Sequence, residues 1–240
     1  MPHCSCPRNY TSAVFRTIPP PPNRLLAFAR LPERGRVKRR LAEELGEDRT
    51  LALYEAMLHD TFRSIGQPNE ELEIEVLWAP TPNASGEALR RAFGDLPLSM
   101  QSGTDLSERM SMAFSERFFF HRTQKIIAVG VDIPLLPRSL IDYAFGLLES
   151  CDWVIGPATD GGYYLIGCRA GSFDTEVFLG IDWGTSSVLT STLDRIRYCQ
   201  NTVALLPERS DLDVPEDLRR YAATASHGEV AELLREWKWG

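Results

Sequence analysis

The chain has 240 residues, 43% hydrophobic and 25% charged, the make-up of a soluble globular protein with room for one α/β domain or two small ones. Its formal net charge of −7 excludes a global basic field of the kind that draws nucleic acid, so an anionic ligand would need a local basic cluster. The odd set of five cysteines (Cys4, Cys6, Cys151, Cys168, Cys199) forms no disulfide framework and points to a cytoplasmic setting. No stretch is long and apolar enough for a membrane span, and the N-terminus lacks the apolar run of a secretory signal.

Residues 1–23 read as a disordered leader ending in the stiff run Pro19-Pro20-Pro21-Pro22, and residues 24–240 as a single domain. His3, Cys4 and Cys6 match no standard zinc spacing. Leu25–Ala29 predicts the first strand. Pro32 and Gly35 mark a loop after it, and Val37–Leu45 predicts a helix stopped by Gly46. This segment carries Arg30, Arg34, Arg36, Lys38, Arg39 and Arg40. Such a cluster at a loop and helix start suits a phosphate chain; it also suits a solvated helix face.

Leu51, Tyr54, Leu58, Phe62 and Ile65 fall at helical spacing and predict a helix over Asp48–Ser64, with His59 and Asp60 as surface or packing residues. Leu72–Ala79 predicts a strand, Ala84–Phe93 a short helix and Leu96–Gln101 another short strand. Leu106, Met110, Ala113, Phe114 and Phe118 form the buried stripe of a helix. Asp105 and Glu108 resemble its capping box; the alternative is that Gln101, Gly103 and Asp105 touch a nucleotide base or ribose.

The apolar run Ile126–Val131 predicts a buried central strand, which Asp132 and Pro134 end. The carboxyl end of such a strand is where open α/β sheets bind ligands. Asp132 there either holds a divalent metal on a phosphorylated ligand or caps the following turn. Ser139–Leu148 predicts a helix and Asp152–Gly156 a strand. Asp160-Gly161-Gly162 reads as a hairpin turn before an apolar strand, or as a place where backbone approaches a ligand closely. Phe173–Trp183 reads as loop, Ser186–Arg197 as helix and Thr202–Leu206 as the last strand. Pro215 opens a further helix that Asp213 is placed to cap, and Val230, Leu233, Leu234 and Trp237 mark a C-terminal one. The alternation predicts a three-layer α/β/α sandwich with a mostly parallel mixed sheet.

The chain has no Walker loop, no dinucleotide glycine fingerprint and no serine-hydrolase elbow. It does carry several motifs in order: Phe28-Ala29-Arg30-Leu31-Pro32-Glu33-Arg34-Gly35-Arg36-Val37-Lys38-Arg39-Arg40-Leu41, Asp105-Leu106-Ser107-Glu108-Arg109-Met110, Gly130-Val131-Asp132-Ile133-Pro134, the run Gly156–Gly167, and Asp211-Leu212-Asp213-Val214-Pro215-Glu216-Asp217-Leu218. Over residues 24–220 these resemble a bacterial family of the GT-A, or nucleotide-diphosphosugar transferase, type. Some members of that family are described as arsenosugar-biosynthesis glycosyltransferases, and it is distantly similar to 2-phospholactate and molybdenum-cofactor guanylyltransferases. The chain departs from the family's usual pattern at Arg39, at Thr104 and Ser107, and at Val131, which bears on the fit of the nucleotide.

The resemblance implies a GT-A fold and a metal-dependent transferase using a nucleotide-activated donor, most simply a glycosyltransferase acting from a nucleotide sugar. A nucleotidyltransferase joining an NTP to a phosphorylated acceptor is the alternative, and a nucleotide-binding regulator without turnover a third. By the resemblance, Arg30, Gly35, Lys38 and Arg40 would meet the phosphates, Arg40 alternatively supporting the loop from within. Asp132 would hold Mg²⁺ or Mn²⁺, with Asp213 as second ligand or helix cap. Asp160 and Asp182 are candidates for the catalytic base. Gly161, Gly162, Tyr163 and Trp183 would shape the sugar or acceptor side. The partners implied are the nucleotide donor and a small-molecule acceptor, with self-association left open.

Overall fold

Apolar residues on both parities of the first strand require cover on both faces, and the computed structural model, which describes residues 22–239, provides it. Leu25, Ala27 and Ala29 of β1 (Asn23–Ala29) face one helical layer, while Leu26 and Phe28 face the other. Around it lie β2 (Leu72–Trp78), β3 (Leu98–Met100), β4 (Lys125–Gly130), β5 (Trp153–Pro157), β6 (Tyr163–Arg169) and β7 (Val203–Leu205). They form a seven-stranded sheet of order β3-β2-β1-β4-β6-β5-β7. Only β6 runs antiparallel to its neighbours, β4 and β5. The expected mixed, mostly parallel three-layer sandwich is therefore the observed fold.

Among the described residues the eight α-helices are α1 (Arg39–Leu45), α2 (Glu47–Ile65), α3 (Gly86–Phe93), α4 (Leu106–Phe119), α5 (Arg138–Leu147), α6 (Val188–Tyr198), α7 (Pro215–Thr224) and α8 (Glu229–Glu236). α2, α3 and α5 cover one face, and α4 and α6 the other. A third cluster packs Leu41 and Leu45 of α1 and Leu53 and Met57 of α2 against Leu218, Val230 and Leu234 of α7 and α8. Asp60 is wholly buried here. Its carboxylate accepts bonds from Glu229 N (2.9 Å) and Val230 N (3.0 Å), so it pins the start of α8, a packing role as expected.

Two boundaries moved for physical reasons. The first helix begins at Arg39, two residues later than its pattern suggests, because Lys38 holds a left-handed backbone (φ 43°, ψ 49°). The stretch read as loop after Phe173 includes a short 3-10 turn, Thr175–Phe178, that buries Val177 and Phe178. Of the residues expected as leader, Asn23 is already in β1, the Pro22 carbonyl accepts from Gln124 N and Lys125 N, and residues 1–21 lie outside those described. No helix among the described residues is long and apolar enough to cross a membrane.

Below the ligand end, the second face holds a buried charge network. Arg24 and Arg117 bracket Glu75, with Nη1 of Arg24 at 2.8 Å and Nη2 of Arg117 at 2.5 Å, while Ser99 Oγ donates to the same carboxylate. Burial opposes ionisation of Glu75, but the bonds from Arg117, Ser99 and Arg24 outweigh it and hold the pKa down to about 2.

Candidate active site

The carboxyl ends of β1 and β4 and the start of the reversed β6 meet in a cleft of about 740 Å³. Its centre is Lys38. The left-handed backbone at the end of the β1–α1 loop turns this side chain inward until it is 7% exposed. Its Nζ lies 2.6 Å from Asp132 Oδ1, beyond β4, and 3.3 Å from Asp213 Oδ1 on the segment before α7. Burial opposes the ammonium charge. Asp132 and Asp213 overcome it and raise the pKa above the ordinary lysine value. A strained non-glycine residue held by two carboxylates is the kind of local cost that functional sites carry.

Asp132 is no helix cap. α5 starts six residues later, at Arg138, and the Asp132 carboxylate is spent on Lys38 while its carbonyl accepts from Leu212 N at 2.9 Å. Asp213 does not cap α7 either. The Asp217 carboxylate takes the bonds from Asp213 N and Val214 N, which leaves Asp213 to pair with Lys38 and, at 3.0 Å, with Arg40. Arg40 is exposed, so it does not support the loop from within. Arg30, Arg36 and Arg39 line the same end of the cleft. Tyr54 Oη accepts from Arg30 N (2.9 Å) and donates to Arg30 O (3.1 Å), fixing where β1 ends.

Asp211, which sequence reasoning passed over, lines the cleft between these groups. Burial and the Asp160 carboxylate push its pKa up to about 6. Arg109, also unassigned from sequence, lines the cleft from α4 with its Nε bonded to Gly103 O at 3.2 Å. The two motifs that contain them were visible; their facing the cleft was not.

At the other expected positions the outcome is mixed. Gln101 lines the cleft, with its amide nitrogen anchored on Leu77 O at 2.7 Å. Asp105 lines it too and caps α4 by accepting from Glu108 N, while Glu108 returns to Thr104 N, not to Asp105 N, so the capping box is shifted by one residue. Asp160, Gly162, Tyr163 and Trp183 line the β6 side. Gly35, Gly103 and Gly161 stand back from the wall and shape turns. At Gly103 a Cβ would lie 2.8 Å from Arg109 N; at Gly161, with φ 90°, it would lie 2.3 Å from Ser186 O. Asp182 is exposed and outside the cleft wall.

Comparison with known proteins extends this picture. No protein of curated function matches the sequence. A provisionally described nucleotide-diphospho-sugar transferase from Desulfovibrio desulfuricans G20 is 32% identical, over 91% of this chain and 96% of that one, with a TM-score of 0.85. The fold is shared more distantly with a cytidylyltransferase from Leptospira borgpetersenii (13% identity, 91% and 95% of the chains, TM-score 0.51). It is shared likewise with the inositol-1-phosphate CTP transferase of T. maritima (12% identity, 90% and 96%, TM-score 0.52). Residues 65–185 match the profile of a family described as uncharacterized protein conserved in bacteria, DUF2064, and the chain belongs to that family.

Proposed function

We propose that this transferase works on a nucleotide-activated donor with a divalent cation, as a glycosyltransferase acting from a nucleotide sugar. The observation that carries the reading is the convergence of Asp132 and Asp213 on the buried Lys38 at the centre of the cleft. The description of the Desulfovibrio relative supports it.

The residues fit a Mg²⁺ or Mn²⁺ ion in one respect that can be checked. Both carboxylates already share a single cationic centre, the Lys38 ammonium. Among the described residues no third histidine, cysteine or carboxylate joins them, so phosphate oxygens and water would complete the shell, as is usual for magnesium. Asp132 and Asp213 would hold the ion, which supplies charge neutralisation on the departing diphosphate. Lys38, Arg30 and Arg40 bind and orient the phosphates. Gln101 faces the base. Asp160 takes the proton from the acceptor through its second oxygen, which accepts no hydrogen bond among the described residues while Oδ1 accepts from Gly162 N.

A nucleotidyltransferase remains the second reading. Five cationic side chains, Arg30, Arg36, Lys38, Arg39 and Arg40, line the wall, an arrangement that also suits a triphosphate or a phosphorylated acceptor.

A thermal-shift panel of nucleoside triphosphates and nucleotide sugars with Mg²⁺ or Mn²⁺ separates the two. A nucleotide sugar at a hundred times its Kd should stabilise the chain by about 2.7 kcal/mol, roughly 5–10 °C. Asp132→Asn should stay folded, with a melting temperature lowered by a few degrees because the buried Lys38 loses its nearer counter-charge, and should lose metal-dependent turnover. Stabilisation by triphosphates alone selects the second reading, and full activity in Asp132→Asn sinks the assignment of Asp132.

A further inference from the structure

We infer that Lys38 is a placeholder at the cation position. It bars a free divalent ion from Asp132 and Asp213 and leaves them when phosphate arrives to take its charge, so that cation and nucleotide enter as one complex. The inference rests on the cation reading above and adds to it an order of entry.

The two carboxylates are already engaged. Lys38 Nζ lies 2.6 Å from Asp132 Oδ1 and 3.3 Å from Asp213 Oδ1, and Arg40 Nη1 lies 3.0 Å from Asp213 Oδ2. Three of their four oxygens therefore face a cationic nitrogen. Mg²⁺ takes its oxygen ligands at about 2.0–2.1 Å. An ion bonded to both acids at that distance sits within a few ångströms of the ammonium, and like charges so close expel one another. Arg40 is 69% exposed, so water receives its charge when it lets go. The Lys38 side chain is 7% exposed and has no such exit, which makes Lys38 the gate.

The backbone does not carry it out of the way. Leu41 N and Ala42 N donate to Lys38 O at 3.0 and 3.1 Å, so α1 pins residue 38 and the side chain alone can swing. A bare ion satisfies the acids and strands the ammonium inside the cleft without a counter-charge. A nucleotide that carries its own cation satisfies both parties: phosphate oxygens take Lys38, on the wall that Arg30, Arg36 and Arg39 also line, and the ion takes the acids.

The first test is Mn²⁺ binding to the full chain without nucleotide, read from the paramagnetic resonance of the free ion. Lys38→Met keeps an apolar stem and removes the ammonium. It should bind Mn²⁺ about tenfold more tightly than wild type, because a pair with half-exposed acids holds the site shut about nine-tenths of the time. Arg39→Met removes a cleft cation that pairs with neither acid and should stay within about twofold of wild type, which separates displacement from the general field. The second test needs no variant and decides alone if Lys38→Met does not fold. The chain has three lysines, Lys38, Lys125 and Lys238. Acetylation by acetic anhydride, followed residue by residue in the mass spectrometer, should be slow at Lys38 in the free protein and several-fold faster under saturating Mn²⁺, with Lys125 and Lys238 unchanged. Equal Mn²⁺ affinity in wild type and Lys38→Met, an equal gain in Arg39→Met, or Lys38 labelling that Mn²⁺ leaves unchanged overturns the placeholder. Mn²⁺ bound by neither wild type nor Lys38→Met, even with ADP, GDP, CDP or UDP, removes the cation reading itself.

Discussion

Lys38 combines a stability cost with the phosphate-binding role proposed for it, and two substitutions separate them. Lys38→Ala removes the ammonium and its buried stem but keeps a Cβ on a backbone at φ 43°. Lys38→Gly removes the ammonium, the stem and the strain together. Breaking a fully buried ion pair from one side costs about 3–5 kcal/mol. Here Asp132 and Asp213 are 48% and 36% exposed, so water recovers much of their solvation. The loss of the pair, common to both variants, is then about 1–2 kcal/mol, and both lose the packing of the stem alike. The left-handed backbone costs a non-glycine residue roughly 1 kcal/mol. The glycine variant should therefore be about 1 kcal/mol more stable than the alanine variant, roughly 2–4 °C in a chain of this size. Both should lose nucleotide affinity alike, about tenfold to a hundredfold for a missing charged hydrogen bond to phosphate. Urea unfolding gives the first quantity and calorimetric titration of nucleotide the second. Variants of equal stability would refute strain at residue 38. Wild-type affinity in either would reduce Lys38 to a strut between two acids.

Glu75→Gln should destabilise the chain by about 2–3 kcal/mol, because Arg24 and Arg117 lose the buried carboxylate they share and keep only their outer partners, Glu73 and Glu116. Since the folded pKa of Glu75 is depressed to about 2, its contribution is full above the ordinary carboxylate range and fades as pH falls toward 2; acid titration of wild type and variant should converge there. Asp211 has the opposite sign. Its pKa is raised to about 6, so the stability linked to its proton is present below about pH 4 and lost as pH rises through 6. Because Asp211 is only half-buried, solvent reduces the effect to about 1 kcal/mol. Asp211→Asn should thus be more stable than wild type by that amount at pH 7.5 and nearly neutral at pH 4, in urea melts with EDTA. The same difference at both values would show that Asp211 titrates normally.

Sheet and helices were readable because periodicity reports burial directly: Leu25–Ala29 and Ile126–Val131 had nowhere to lie but inside. Even the reversed strand was signalled, since Asp160-Gly161-Gly162 demands a tight turn. The site was legible only in part. Asp132 could be placed at a strand end from local sequence. Its choice of Lys38 over a cap depends on a backbone twist at residue 38 that no neighbouring residue announces. Asp211 escaped notice because its perturbation comes from burial in the folded cleft and from Asp160, a residue remote in sequence. The glycines misled in a consistent way. A glycine beside an acid suggests backbone approaching a ligand, but at Gly103 and Gly161 the close approach is to the protein itself.

The salt bridge from Lys38 to Asp213 spans 175 positions of sequence. At about 5–20 residues per second, a ribosome delivers the second residue roughly 10–35 s after the first. During that interval β1 and β4 can pair, but the buried ammonium lacks one of its two counter-charges. The Lys38 cluster is therefore completed last, after β5, β6 and α6 have been synthesised.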